Sequence, residues 1–185
     1  MRLLALAAPL ALACAPAAAA AQATFTLTSS TLGGQATPEE VFDGFGCTGA
    51  NVSPQLAWTD APQGTRSFAV TMYDPDAPTG SGWWHWVVFD LPATATHLPA
   101  GAGSTAPEGL PAGAVQGTTD FGAPGYGGPC PPVGDGPHQY VITVYALGTD
   151  SLGLPADATP ATVGFTLGNH TLAKASIVAY YERGE

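Results

Sequence analysis

The chain has 185 residues, 45% hydrophobic and 10% charged, which suits one globular domain and excludes a disordered chain or a membrane bundle. Its 24 glycines and 18 prolines favour many short strands joined by turns over long helices. The formal net charge is −10, and so acidic a surface repels nucleic-acid phosphates and anionic bilayers.

The opening "MRLLALAAPLALACAPAAAAAQA" has the form of a secretory signal. Arg2 supplies the positive start, Leu3 to Ala13 the apolar stretch, and Ala21-Gln22-Ala23 an A-x-A cleavage site. Pro9, Pro16 and the many small residues argue against an uncleaved spanning helix. The competing route is a lipoprotein modified at Cys14, although Ala11 stands where the bacterial lipobox prefers a larger aliphatic. The expected organisation is therefore a signal peptide over 1–23 and a single domain over 24–185, in the periplasm or secreted. From Thr24 onward, 3 basic residues (Arg66, Lys174, Arg183) face 14 acidic ones, a net charge of −11. A phosphate-bearing ligand would then need a pocket with its own positive potential. Two cysteines remain, Cys47 and Cys130, and in an oxidising compartment they are expected to pair. Closing a loop of about 80 residues contributes at most ~4 kcal/mol on the chain-entropy model.

"TFTLTSS" (24–30) alternates with period two and predicts a first strand. Residues 33–54 contain turn residues without sustained periodicity and predict a loop. "RSFAVTMYD" (66–74), "WWHWVVFDL" (83–91) and "HQYVITVYAL" (138–147) are β-branched and aromatic, hence strands. Residues 92–136 predict a long loop region with short strands around Ala114 to Thr118. "TPATVGFTLGNH" (159–170) predicts a helix, with Thr159 as N-cap, Pro160 in the first turn and Gly168-Asn169 at the end. "TLAKASIVAYYE" (171–182) returns to alternation and predicts a last strand. The sum is a mainly β chain, an antiparallel Greek-key β-sandwich with one or two short helices.

Alternation also indicates which polar groups look inward. By parity Asp74 shares a face with Phe68, Val70 and Met72; His85 with Val87, Phe89 and Leu91; His138 and Tyr140 with Ile142, Val144 and Ala146. Each ionisable group lies at a strand end, where a pocket could open. Asp76 lies in the turn that follows Asp74, and "GGPCPPVGDGPH" (127–138) would form a stiff opposite wall. Two imidazoles beside carboxylates could be held as imidazolium, supplying positive potential to an acidic protein. Trp83, Trp84 and Trp86 could floor or rim such a cavity. Equally, the histidines could be plain strand-end residues and the tryptophans plain core.

"DPDAP" (74–78), "WWHWVV" (83–88) and "GPCPPVGDGPHQYVITVYAL" (128–147) resemble the phosphatidylethanolamine-binding protein (PEBP) family, and its bacterial branch of Raf-kinase-inhibitor-like proteins in particular. "GCTGANVSPQLAW" (46–58) and "TVGFTLGNHTLAKASI" (162–177) are similar to the same branch. The resemblance implies a sandwich with a small anion pocket for phosphate-like groups, phospholipid headgroups included. Carried over by motif, its ligand-binding residues are Asp74, Asp76, His85, Pro131, Pro132, His138 and Tyr140, with Trp84 and Gly128 at the rim. It further implies a cis Ala77–Pro78 bond. Cys130 stands where eukaryotic members carry glycine, so the disulfide would brace the pocket loop. The eukaryotic C-terminal helix is expected to be missing, which would leave the pocket more open.

The first expectation is a non-catalytic, exported binding protein with no cofactor and no metal, whose partner is a small anion such as phosphate or a phospholipid headgroup. The second is a protein inhibitor or regulator of a periplasmic or extracellular protease, or of a kinase. The third is a metal-dependent or acid–base enzyme; the absence of a G-x-S-x-G nucleophile motif speaks against a hydrolase. No nucleic acid and no membrane span are expected, and the bacterial branch admits a homodimer. His97 and His170 are expected to be solvated.

Overall fold

The structure is a computed structural model and describes residues 23–106 and 109–184. The signal sequence and the Cys14 alternative fall on residues 1–22, outside the described ones. Ten strands and one helix follow in chain order. They are β1 (Thr26–Thr28), β2 (Asp43–Gly44), β3 (Cys47–Thr48), β4 (Leu56–Thr59), β5 (Ser67–Asp74), β6 (Trp83–Pro92), β7 (His97–Leu98), β8 (Val115–Gln116), β9 (His138–Leu147), α1 (Pro160–His170) and β10 (Thr171–Tyr181). They form a five-stranded sheet ordered β10-β9-β5-β6-β8, a three-stranded sheet ordered β1-β4-β7 and a β2–β3 hairpin. All strand pairs within these sheets are antiparallel. The fold is thus mainly β with a single helix among the described residues, and no described helix is long and apolar enough to cross a membrane.

The main core lies between the two larger sheets. Leu56 and Trp58 of β4 meet Phe68, Val70 and Met72 of β5 and the even-numbered face of β9, from Tyr140 to Ala146. Burial of so many large apolar side chains is the principal stabilising term, at about 25 cal/mol per Å² removed from water. A smaller cluster covers the other face of the large sheet, where Val163 and Leu167 of α1 pack with Ala69, Val87 and Phe89. The helix begins as its sequence dictates: the Thr159 hydroxyl accepts from the Thr162 N–H and Pro160 occupies the first turn. It runs on to His170, past the expected stop at Gly168-Asn169, because the Thr171 backbone N–H caps on the Leu167 carbonyl.

Strand β6 departs from simple alternation. Met72 pairs with Trp86 and Tyr73 with Trp84, so His85 is an extra residue with no partner opposite it. A second irregularity sets Phe68 opposite Leu91 and Val70 opposite Val88, around Asp90 with its φ of 58°. Such bulges insert one residue and reverse the parity of the strand beyond them. Val87 and Phe89 therefore belong to the helix-side cluster, whereas Trp86, Val88 and Leu91 belong to the main core. The parity expected for His85 with Val87 and Phe89 is corrected accordingly. Four further short strands lie where the sequence carried no long alternation: β2 and β3, inside the 33–54 segment expected to be loop, and β4 and β7.

Candidate functional site

Asp74 is the pivot of the rim. It ends β5 with 2% of its surface exposed, and its Oδ1 accepts from the backbone N–H groups of Asp76 (2.8 Å) and Ala77 (3.1 Å). Its Oδ2 accepts from Nδ1 of His138, the first residue of β9, at 2.8 Å. A buried carboxylate is tolerated only when paired and fully hydrogen-bonded, and Asp74 is both. The other imidazole nitrogen, Nε2, faces the Asp135 carboxylate at 3.3 Å. Burial opposes charge on His138, but the hydrogen bond and negative charge of Asp74, joined by those of Asp135, outweigh it and raise its pKa. His138 therefore favours the imidazolium.

His85 behaves in the opposite way. It is 4% exposed, and its Nδ1 lies 2.7 Å from the Gly127 carbonyl. Burial lowers its pKa to about 4 against the opposing pull of that carbonyl and of Asp74, so the ring is neutral. Its Nε2 stands 4.0 Å from Asp74 Oδ2, too far for a hydrogen bond. Two imidazoles near one carboxylate thus differ in charge, because the bond to Asp74 outweighs burial at His138, whereas burial outweighs the pull of the carbonyl and of Asp74 at His85. Tyr140 packs edge-on against His85 with ring centroids 5.1 Å apart. Its hydroxyl is buried and has no hydrogen-bond partner. Burial, then the charge of Asp74, raises its pKa, so it remains a phenol donor.

These groups line a cavity of about 230 Å³. Asp74, His85, His138 and Tyr140 are on its surface, with Pro131 and Pro132 on one wall. An aromatic collar of Phe45, Trp83 and Phe121 completes it. Phe121 meets Phe45 at 5.8 Å, Trp83 at 5.5 Å and His85 at 5.4 Å between centroids. Phe45 is 69% exposed and Val133, in the proline loop, 56%.

Four residues singled out in the sequence lie elsewhere, Trp86 among them, fully buried in the main core. Asp76 is exposed outside the cavity lining, and its carboxylate accepts the Gln139 N–H at 2.7 Å, tying the turn after β5 to β9. Trp84, one step along β6 from Trp83, packs against Tyr73 on the far face of the sheet, at 4.6 Å between centroids. Gly128 is buried behind the wall: its N–H donates to Asn51 Oδ1, and a Cβ there would meet the Glu40 carbonyl at 1.9 Å. Glycine at this position permits a backbone–backbone approach. The Ala77–Pro78 bond is trans, contrary to the cis form that the resemblance implied.

Cys47 and Cys130 are joined, which ties the β2–β3 hairpin to the proline loop across 83 residues of sequence. Arg183 reinforces the same junction by donating to the carbonyls of Gly46 (3.0 Å), Phe45 (3.4 Å) and Pro131 (3.4 Å). Sequence reasoning passed over Arg183, Phe45, Phe121 and Asp135. Only Asp135 carried a local signal, its place between two glycines just before His138.

A sandwich with a rim cavity built on an Asp–His pair defines a class, and the family comparison agrees with it. The family model for phosphatidylethanolamine-binding protein matches residues 32–182, and the chain belongs to that family. It is similar to YbcL of Escherichia coli, 52% identical over 160 residues, 85% of this chain and 87% of that protein. The crystal structure of YbcL, described as a new member of the mammalian PEBP family, superposes with a TM-score of 0.84, covering 86% of this chain and 99% of that one. YbhB of the same organism is 52% identical over 76% of this chain and 88% of its own length. A Mycobacterium tuberculosis relative, LppC, whose name carries the word lipoprotein, is 38% identical over 75% of this chain and 64% of its own length.

Proposed function

We propose that this protein is an exported, non-catalytic receptor for a small anion, either free phosphate or a phosphate-bearing headgroup. The observation that carries the reading is the Tyr140 hydroxyl, a buried donor without a partner at a cavity beside the imidazolium of His138. Leaving such a group unpaired costs about 1–3 kcal/mol, which a ligand oxygen would recover. The His138 charge offsets that of Asp74, so an anion does not meet a bare carboxylate. The apolar collar excludes water and strengthens each polar contact within. The non-catalytic part of the reading is supported by Cys130, the cysteine of the cavity wall, whose sulfur is bonded to Cys47 and offers no thiolate. Export is supported by the same disulfide, by the leader sequence and by the name of the mycobacterial relative.

Calorimetry with phosphate, phosphoethanolamine and acetate at about pH 6, within the imidazolium range of His138, tests the reading. At least one phosphate compound binds, and Tyr140→Phe weakens it by about tenfold, one charge-assisted hydrogen bond, without loss of thermal stability. No binding by any of the three, or a Tyr140→Phe protein that binds like wild type, removes the assignment.

A further inference from the structure

The tip of the β2–β3 hairpin carries a residue that its turn does not favour. Gly44 pairs with Cys47, so Phe45 and Gly46 form a two-residue connection, with φ of 52° and 84°. Positive φ at both positions is the pattern of a type I′ turn, which asparagine followed by glycine fills most readily. A bulky aromatic side chain in the left-handed region carries a steric cost. The ring is also mostly exposed, so burial does little to offset that cost. Phe45 instead lines the cavity, 5.8 Å from Phe121 and 5.3 Å from Phe42 between ring centroids. A strained residue kept at a cavity is a mark of use there.

The segment after β10 supplies the restraint. Arg183 is half-buried; its Nη2 donates to the Gly46 carbonyl at 3.0 Å and its Nη1 to the Phe45 carbonyl at 3.4 Å. Among the described residues no backbone N–H donates to either carbonyl, since the ladder ends at Gly44 and Cys47. The same Nη1 reaches the Pro131 carbonyl in the proline wall, also at 3.4 Å. The planar guanidinium thus ties turn to wall through a fixed fork, which a lysine ammonium does not reproduce. The disulfide fixes Cys47, one step beyond the turn, and leaves the two turn carbonyls to Arg183. A Cβ on Gly46 would stand 3.2 Å from Arg183 Nη2, so glycine also keeps room for the guanidinium. Arg183 itself does not line the cavity.

We propose that Phe45 is the lip that closes the cavity over its ligand, and that Arg183 is the positioning residue that holds Phe45 there without touching the ligand. This rests on the anion-receptor reading and deepens it. The lip keeps water from the mouth, which strengthens the polar contacts within. Arg183 keeps the entrance formed before a ligand arrives, so less ordering is left to the binding step. Seating of Arg183 and occupancy of the cavity are then coupled, each favouring the other.

The test pairs calorimetry, with phosphate and phosphoethanolamine at about pH 6, with chymotrypsin digestion of the native protein. That protease cuts after aromatic residues, so cleavage at Phe45–Gly46 reports local opening of the turn. Arg183→Ala is expected to bind about tenfold more weakly and to be cut at Phe45 about tenfold faster, with Arg183→Lys between it and wild type. The deficit persists in about 0.5 M sodium chloride, where a bare field effect is screened. Arg66→Ala removes the same charge from an exposed pair elsewhere and changes neither readout. Phe45→Asn melts at or above the wild-type temperature, because its turn is relieved, yet binds about tenfold more weakly. If Arg183→Ala binds and is cut like wild type, or its binding deficit vanishes in salt, the positioning role falls while the anion receptor stands. If Phe45→Asn binds like wild type, the lip role falls. If neither probe binds the wild type, the anion reading falls and digestion decides the rest: faster cutting of Arg183→Ala supports its hold on Phe45, and equal cutting overturns it.

Discussion

At one end of β5 the Asp74 side chain is 3% exposed and accepts three hydrogen bonds, one of them from an imidazolium. At the other end Arg66 meets Asp150 with 57% and 70% of the two side chains in water. Two ion pairs, one at the end of β5 and one at the residue just before it, thus sit in opposite surroundings. The exposed pair gains little, because water and salt screen it and two long side chains lose freedom to form it. The buried pair is costly to assemble and costlier to break, since either partner alone would be an uncompensated charge in an apolar interior. A protein that keeps such a pair at a cavity does so at some expense to its stability. That is the expected mark of a site used for binding.

Four substitutions or conditions would break or sharpen this contrast. Asp74→Ala leaves the His138 imidazolium without its carboxylate and is expected to cost about 3–5 kcal/mol in chemical denaturation; a cost below about 1 kcal/mol would make the two ends equivalent. Replacing Cys47 and Cys130 by serine frees the loop wall, and about 2–4 kcal/mol of stability is lost, with weaker ligand binding by calorimetry.

Acidification acts through His85. Its folded pKa, about 4, lies below the unfolded value near 6.5. Its contribution is therefore present above the unfolded value and is lost as pH falls from about 6.5 towards 4, by about 3 kcal/mol in all. His138, with its raised pKa, has the opposite sign: its contribution is present below the unfolded pKa and is lost as pH rises through the folded one. Urea titrations of wild type and His85→Asn, each at pH about 7 and about 4.5, separate the two, and the variant should lose less stability on acidification. The smallest effect is expected at the far end, where Arg66→Ala should cost under about 0.5 kcal/mol and vanish in high salt.

Parity along β5 and β9 was legible in the sequence because neither strand is interrupted near the rim; Asp74, His138 and Tyr140 look inward as alternation requires. On β6 the same reading fails for Val87 and Phe89. An unpaired residue at His85 and another near Asp90 reset the alternation, and neither carries a local signature. Alternation counted from His85 puts Trp83, not Trp84, on the cavity side, so the choice of Trp84 ran against the spacing. The neutrality of His85 was equally hidden. It comes from burial, which outweighs the pull of the Gly127 carbonyl, 42 residues away, and of Asp74, whereas proximity to Asp74 alone suggested the opposite charge. Arg183 reaches carbonyls more than 130 residues back in the chain, at Phe45 and Gly46. Contacts of that kind belong to tertiary structure, and no window of sequence contains them.

The four tryptophans sit in unlike surroundings, and this turns the rim cavity into its own optical probe. Trp58 and Trp86 are sealed in the core, Trp84 lies against Tyr73 on the outer face, and Trp83 is the one that lines the cavity. Occupancy should therefore modulate the emission of a single indole over a constant background from the other three, so a fluorimeter can follow uptake of a ligand without any attached dye.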